Sequence, residues 1–443
     1  MEARDLIVTP ILLIVVAALA YVIRPRVTDP VTRVYFFPAL AVKIIGALAV
    51  GFIYQFYYDG GDTFNYHTHG SRHIWEAFMD SPGKGFRLLA SDGTDYSNIY
   101  RYASKIVFFS DSQSYAIVKI AAILDLLTFS SYSSTATLFA VVSFVGMWMF
   151  FLTFYEQYPG LHKQLAIAAF FIPSVFFWGS GLLKDTITLG CLGVATYQVY
   201  NIFIKKRFGL SNIFLLAIAF YGMYSIKIYI VLTFLPAVII WIFLTNLDII
   251  HSPVLKIMIA PFVFICAISL GYYAMMKAGE DNAKYSLKNV AMTAKETAYD
   301  IGYYTGRDAG SGYSLGELDG TFSSLIDIAP QAINVSLFRP YLWEVRNPLM
   351  LLSALESLLM VLLTLYIVVK RNLRIFSVIR KPNVLFALVF SLAFAFAVGA
   401  STFNFGTLVR YKIPLLPFFL VALILILHHS REVANFKQFE SAE

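Results

Sequence analysis

Apolar stretches close to the length of a bilayer crossing recur along this sequence, the first at residues 6–23 and 36–57. Inside hydrocarbon no water is available to a bare amide or carbonyl, so each stretch must satisfy its own backbone, as a helix does. About 20 residues of helix match a hydrocarbon core of about 30 Å, whereas a barrel strand needs only about ten. Hydrophobic residues make up 58% of the chain and charged residues 14%, outside the usage of soluble globular proteins. The pattern predicts an all-α, polytopic integral membrane bundle, with residues 1–443 forming one transmembrane domain.

Eleven spans are expected, near 6–23, 36–57, 134–154, 164–178, 186–204, 213–226, 229–246, 254–276, 348–369, 383–402 and 412–428. Alternation then places 24–35, 155–163, 205–212, 247–253, 370–382 and the C-terminal tail on one side. On or beside those loops lie Arg24, Arg26, Arg33, Lys163, Lys205, Lys206, Arg207, Lys256, Lys370, Arg371, Arg374, Arg380, Lys381, Arg431 and Lys437. The opposite short connections carry only Arg4, Lys184, Lys227, Arg410 and Lys412. The positive-inside rule makes the basic side cytoplasmic, C-terminus included, as in a bacterial inner (plasma) membrane.

This parity holds if residues 114–129, interrupted by Lys119 and Asp125, do not cross and form a juxtamembrane or re-entrant helix. Ala18-Leu19-Ala20 imitates a signal-peptidase site. The arginines nevertheless follow the apolar run, and Arg4 is offset by Glu2 and Asp5, so a retained first span is expected. The net charge of +7 is divided among loops and predicts no nucleic-acid surface. Cys191 and Cys266 both fall in apolar segments and read as small core residues. Two large outer segments, 58–133 and 277–347, are rich in Gly, Asp, Ser and Tyr and read as partly helical caps over a site at the membrane surface.

The polar clusters that could carry chemistry fall at one membrane level. Tyr58-Asp59-Gly60-Gly61-Asp62-Thr63 puts two carboxylates where an apolar run stops, and such groups are costly there unless water, a cation or a reacting group compensates them. The glycines would let both acids face one point, as a general base or as a divalent-cation site; a solvated turn with Asp62 capping a helix is the plainer alternative. Tyr66 shares the helical face of Asp62, with His67 beside it. His67, His69 and His73 lack any HExxH-like pattern and read as hydrogen-bonding residues rather than ligands.

Lys184-Asp185 follows the turn Trp178-Gly179-Ser180-Gly181. Arg339, Trp343, Glu344 and Arg346 crowd the approach to another span, where arginine forks suit phosphate oxygens and aromatics suit an interface belt or a sugar face. Glu356 lies about 12 Å further along by helical rise and needs a partner, for which Lys227 or a tyrosine is expected. Arg410 and Lys412 open the last span as a phosphate clamp or as headgroup anchors.

Together these residues resemble the GT-C superfamily, the polytopic glycosyltransferases that take a sugar from a polyprenyl-phosphate carrier on the non-cytoplasmic side. The likeness rests on Gly61-Asp62 with Tyr66-His67 in the first large outer loop, the juxtamembrane helix after it, Lys184-Asp185, and Arg410-Tyr411-Lys412-Ile413-Pro414. It covers mainly residues 36–245 and the last spans. The resemblance implies an inverting transfer, with Asp62 first and Asp59 second as base or metal ligand. Lys184, Asp185, Lys227, Arg339, Glu344, Arg346, Arg410, Lys412, Tyr66 and His67 would bind the donor phosphate and substrate. It leaves open a divalent cation, magnesium or manganese, on Asp59 and Asp62, and an acceptor that is a glycan, a lipid or a protein. Two departures are an extra span before residue 24 and the lack of an expected large soluble C-terminal domain. A lipid-linked polysaccharide polymerase or ligase, and a lipid or solute transporter, are the competing readings.

Overall fold

The computed structural model describes residues 2–247, 327–371, 374–402 and 404–440, with Ser252, Pro261, Ile265, Tyr313 and Leu315. Among these residues the chain is helical, with no strand. The expected span 254–276, with Lys256 and Cys266, lies outside the described residues except at Pro261 and Ile265, as do the side chains of Arg371, Arg374, Arg431 and Lys437. So does residues 277–326 of the second outer segment, apart from Tyr313 and Leu315.

Seven described helices are long and apolar enough to cross a membrane. They are α1 (Ala3–Val27), α2 (Arg33–Phe56), α8 (Tyr132–Tyr155), α11 (Lys184–Val199) with the π turn that extends it to Ile204, α12 (Leu210–Thr245), α14 (Pro348–Arg371) and α16 (Pro382–Thr402). An eighth span is counted if α17 (Phe405–Tyr411) and the stretch Leu415–Ser430 of α18 (Leu415–Glu440), bent by 67°, act as one.

Two departures from the expected spans have local causes. Residues 164–178 form two short helices, α9 (His162–Phe170) and α10 (Pro173–Trp178). Pro173 disfavours helical backbone at the residue before it, and Ile172 is extended with φ −72° and ψ 121°. The runs 213–226 and 229–246 share α12, broken at Lys227, where φ is −146° and ψ 79°. Unbroken, 36 residues would measure about 54 Å, well beyond a hydrocarbon core.

The outer segment after α2 holds α3 (Asp62–Tyr66), a π turn at His67–Ser71, α4 (Arg72–Asp80), α5 (Pro82–Ala90), α6 (Tyr100–Ala103) and α7 (Ser112–Thr128). At 17 residues α7 is not among the candidate spans. Its Tyr115 hydroxyl donates to the Leu88 carbonyl at 2.7 Å and its Lys119 ammonium to the Ser91 carbonyl at 2.5 Å, which packs it under α5. Its Asp125 is fully buried and accepts from Ser71 Oγ and Thr135 Oγ1, both at 2.6 Å, joining α7 to the π turn and to α8.

The chain forms two compact units: Met1–Gln198 with Gly209–Lys227, and Val199–Phe208 with Ile228–Glu443. In the first, Phe36 of α2 packs edge-on to Phe144 and Trp148 of α8, at 5.2 and 5.1 Å between centroids. There α8 and α11 meet backbone to backbone, since a Cβ on Gly146 would stand 2.0 Å from the Gly190 carbonyl oxygen. Small residues bring helices together where lipid supplies no hydrophobic drive. In the second unit Trp241 of α12 stacks on Phe386 of α16 at 4.2 Å, and its indole N–H reaches Asn383 Oδ1 at 2.7 Å. Also in that unit, α13 (Ala329–Phe338) lies along α16, where Ser336 Oγ donates to the Ala395 carbonyl at 2.7 Å.

Candidate functional site

The turn that leaves α2 reverses through three successive residues with positive φ: Asp59 at 53°, Gly60 at 125° and Gly61 at 120°. A side chain is poorly tolerated at the latter two angles, and glycine occupies both. The Gly60 amide donates to the Tyr54 carbonyl at 2.8 Å, and the Phe64 and Asn65 amides return to the Gly61 carbonyl at 3.0 Å, so α3 starts at Asp62. Asp59 is exposed and Asp62 half-buried. Behind Asp62, Thr63 Oγ1 shares a 2.7 Å hydrogen bond with the Tyr132 hydroxyl, and Phe64 stacks on the Tyr132 ring at 4.7 Å.

Tyr66 is buried against Phe108, with 5.0 Å between centroids. His67 is fully buried, with Nε2 3.4 Å from Asp125 Oδ1. Tyr66 thus packs α3 on the segment that precedes α7, and His67 ties the π turn to α7.

Lys184 and Asp185 open α11. Lys184 Nζ stands 3.8 Å from Asp111 Oδ2, and its ammonium also feels the charges of Lys227, Asp62 and Asp185. Asp185 pairs directly with Lys227, at the break in α12. Of the two lysines, Lys184 is the more accessible, its side chain 19% exposed against 7% for Lys227. Asp111 caps α7, accepting from the Gln113 amide at 3.2 Å and from the Ser114 hydroxyl. Partial burial pushes its carboxyl up, but the Ser114 hydrogen bond, the Lys184 charge and the backbone amides outweigh this and hold it below the ordinary carboxylate value. Asp111 was not singled out as a site residue by sequence; its signal was the Asp-Ser-Gln start of a helix that follows the outer loop.

In the second unit Arg339 is engaged by Glu344. Its Nε donates to both carboxylate oxygens at 3.1 Å, and an Nη closes the fork. Burial alone would raise the Glu344 carboxyl, yet the Arg339 hydrogen bonds and the Tyr341 amide hold it low. The guanidinium is ringed by Phe405, Tyr313 and Tyr341, at 5.3, 5.7 and 5.8 Å from their centroids. Lys412 is buried and donates to the Arg339 carbonyl and to Ser357 Oγ, each at 3.2 Å, and it feels the charge of buried Glu356. Arg410 is half-buried, whereas Arg346 and Trp343 are exposed, Trp343 to 81%.

No protein-family model, curated protein or solved structure matches the chain.

The structure therefore gathers Asp62, Asp111, Lys184, Asp185 and Lys227 within one unit, and separately ties Arg339, Glu344, Lys412 and Glu356 into another network. In the first group a carboxylate close to a partly exposed ammonium can take a proton while the ammonium takes a developing negative charge. Among the described residues no group of three or more His, Cys, Asp or Glu side chains could hold a metal ion. Lys184 compensates Asp111 and Lys227 compensates Asp185.

Proposed function

We propose that this protein is a membrane glycosyltransferase of the GT-C kind, moving a sugar from a polyprenyl-phosphate donor to an acceptor at the extracytoplasmic surface. The observation that carries the reading is Lys184, partly exposed at the start of α11, within electrostatic reach of both Asp62 and Asp111. Asp62 takes the proton of the acceptor hydroxyl as its oxygen attacks the anomeric carbon. The bond from that carbon to the donor phosphate oxygen breaks, and the phosphate leaves with the electron pair on its lipid. Configuration inverts. Lys184 meets the charge that grows on the departing phosphate, where an ammonium acts without reorganising. Lys227 is engaged with Asp185, and that buried pair fixes the start of α11 rather than touching substrate. The acceptor is a glycan, a lipid or a protein.

The test is incubation of the purified protein with radiolabelled polyprenyl-phosphate sugars and membrane extracts, comparing wild type with Asp62→Ala, Lys184→Ala and Arg410→Ala. Transfer by wild type and its loss in the first two variants are expected. If wild type consumes none of the labelled lipids, the proposal fails. Retained activity in Asp62→Ala moves the chemistry to the arginines of a polymerase or ligase, of which Arg339 is already closed by Glu344.

One observation favours a second reading, a lipid or solute transporter: helices broken at Lys227 and between α17 and α18 are of the kind that bind cargo within a membrane. Movement of a fluorescent lipid phosphate across proteoliposomes, with no new glycosidic product, would favour it.

A further inference from the structure

Lys43 is fully buried near the middle of α2, within an apolar span. Its ammonium donates to Ser143 Oγ at 3.0 Å, to the Val175 carbonyl at 3.3 Å and to the Gly179 carbonyl at 2.9 Å. Three N–H groups meet three neutral acceptors, which leaves no hydrogen for a ligand. Ser143 Oγ donates to the same Gly179 carbonyl at 2.7 Å. A lysine at bilayer depth is expensive, and methionine would fill the volume without that cost. What lysine supplies is a set of donors for the end of α10, where Val175 also accepts from the Gly179 amide and Phe176 from the Ser180 hydroxyl, while the Gly179 carbonyl takes its bonds from Lys43 and Ser143.

The same stripe of α2 continues toward the mouth of the site. A Cβ on Gly46 would stand 2.2 Å from the Phe176 carbonyl oxygen, so only glycine admits α10 this closely. Val50 Cγ1 would lie 2.6 Å from a Cβ on Gly181, and the Tyr54 ring 2.9 Å from one on Gly61. Residues 43, 46, 50 and 54 recur every three or four positions and so share one helix face. That face touches the turn leading to Lys184 and the turn leading to Asp62.

We infer that Lys43 is a positioning residue: by pinning the Gly179 carbonyl to α2, it sets where Lys184 stands relative to Asp62. The inference depends on the proposed reaction for the consequence of that spacing, but not for the spacing itself. The full chain in nanodiscs, as wild type, Lys43→Met, Lys43→Gln and Ser143→Ala, tests it by the rate at which an amine-reactive acetylating reagent modifies Lys184, with exposed Lys163 as internal reference.

In Lys43→Met with a retained thermal transition, the Lys184 rate is expected to change by about fivefold while Lys163 is unchanged. Lys43→Gln keeps two N–H donors and should recover part of the change; a purely space-filling role would give no such rescue. If Lys43→Met fails to fold, Ser143→Ala, which removes one bond to the same carbonyl, should shift Lys184 in the same sense. A Lys184 rate within about twofold of wild type in every folded variant overturns the inference. This readout needs no substrate, so it is separate from failure of the glycosyl-transfer reading. With polyprenyl phosphate as probe, Lys43→Met should also weaken binding in wild type and add little in a Lys184→Ala background.

Discussion

Asp62 and Asp111 share one compensating group, and the proposed chemistry turns on how Lys184 divides its charge between them. Asp62→Asn keeps the shape and removes the proposed base, so labelled-donor consumption should fall by about 10²-fold or more with the fold intact. Asp59→Asn, at an exposed position one turn away, should leave consumption within a few-fold of wild type, at about the level of a surface change. Asp111 has a lowered carboxyl in the folded protein, so its contribution to stability is complete above the ordinary carboxylate value near pH 4 and is lost as pH falls below that through the folded value. Thermal unfolding followed from pH 6 down to pH 3 should therefore lose part of its acid dependence in Asp111→Asn.

Helix α7 is held by polar contacts as much as by apolar ones, because Asp125 must find partners once it is buried. Asp125→Ala would orphan the Ser71 hydroxyl, take from Thr135 one partner beside Thr128 and the Ser131 carbonyl, and leave His67 without its acid. The expected cost is about 3 kcal/mol, read by thermal denaturation and by faster amide exchange in residues 112–128 than in α8. The contact of α8 with α11 depends instead on the absence of side chains, so Gly146→Val should destabilise by about 3 kcal/mol or more through overpacking. The breaks at Pro173 and Lys227 differ in cause. The first is written in the chain, since proline dictates the backbone before it; the second coincides with the buried pair of Lys227 with Asp185.

At the scale of the whole chain, α2 joins a hydrogen-bonded turn at one end, Asp29 with Thr32, to the Asp59–Asp62 turn at the other. In a background with Cys191 and Cys266 replaced, a cysteine at Asp59 should react with an impermeant maleimide from outside intact cells, and one at Thr28 only after permeabilisation. Equal labelling of both positions in intact cells would contradict the proposed sidedness. The helical membrane character was legible in the sequence because hydropathy and the demand of each backbone for its own hydrogen bonds are local properties. The break before Pro173 and the two-glycine turn at Asp62 were local too, although the apolar run 164–178 disguised the first as a span. Partnerships were another matter. Lys227 or a tyrosine was the expected partner of Glu356 on the ground of depth; the structure shows Lys227 paired with Asp185 and Glu356 acting on Lys412. The resemblance implied a substrate contact for His67, whose side chain lies buried beside Asp125, while Lys43, within an apolar run, gave no sign of the carbonyls it holds 132 and 136 positions away. Sequence fixes the cost of burying each charge, since that cost belongs to the residue. Which group compensates it is decided only by helix packing, because hydrogen bonds reach about 3 Å and the partners come from different spans.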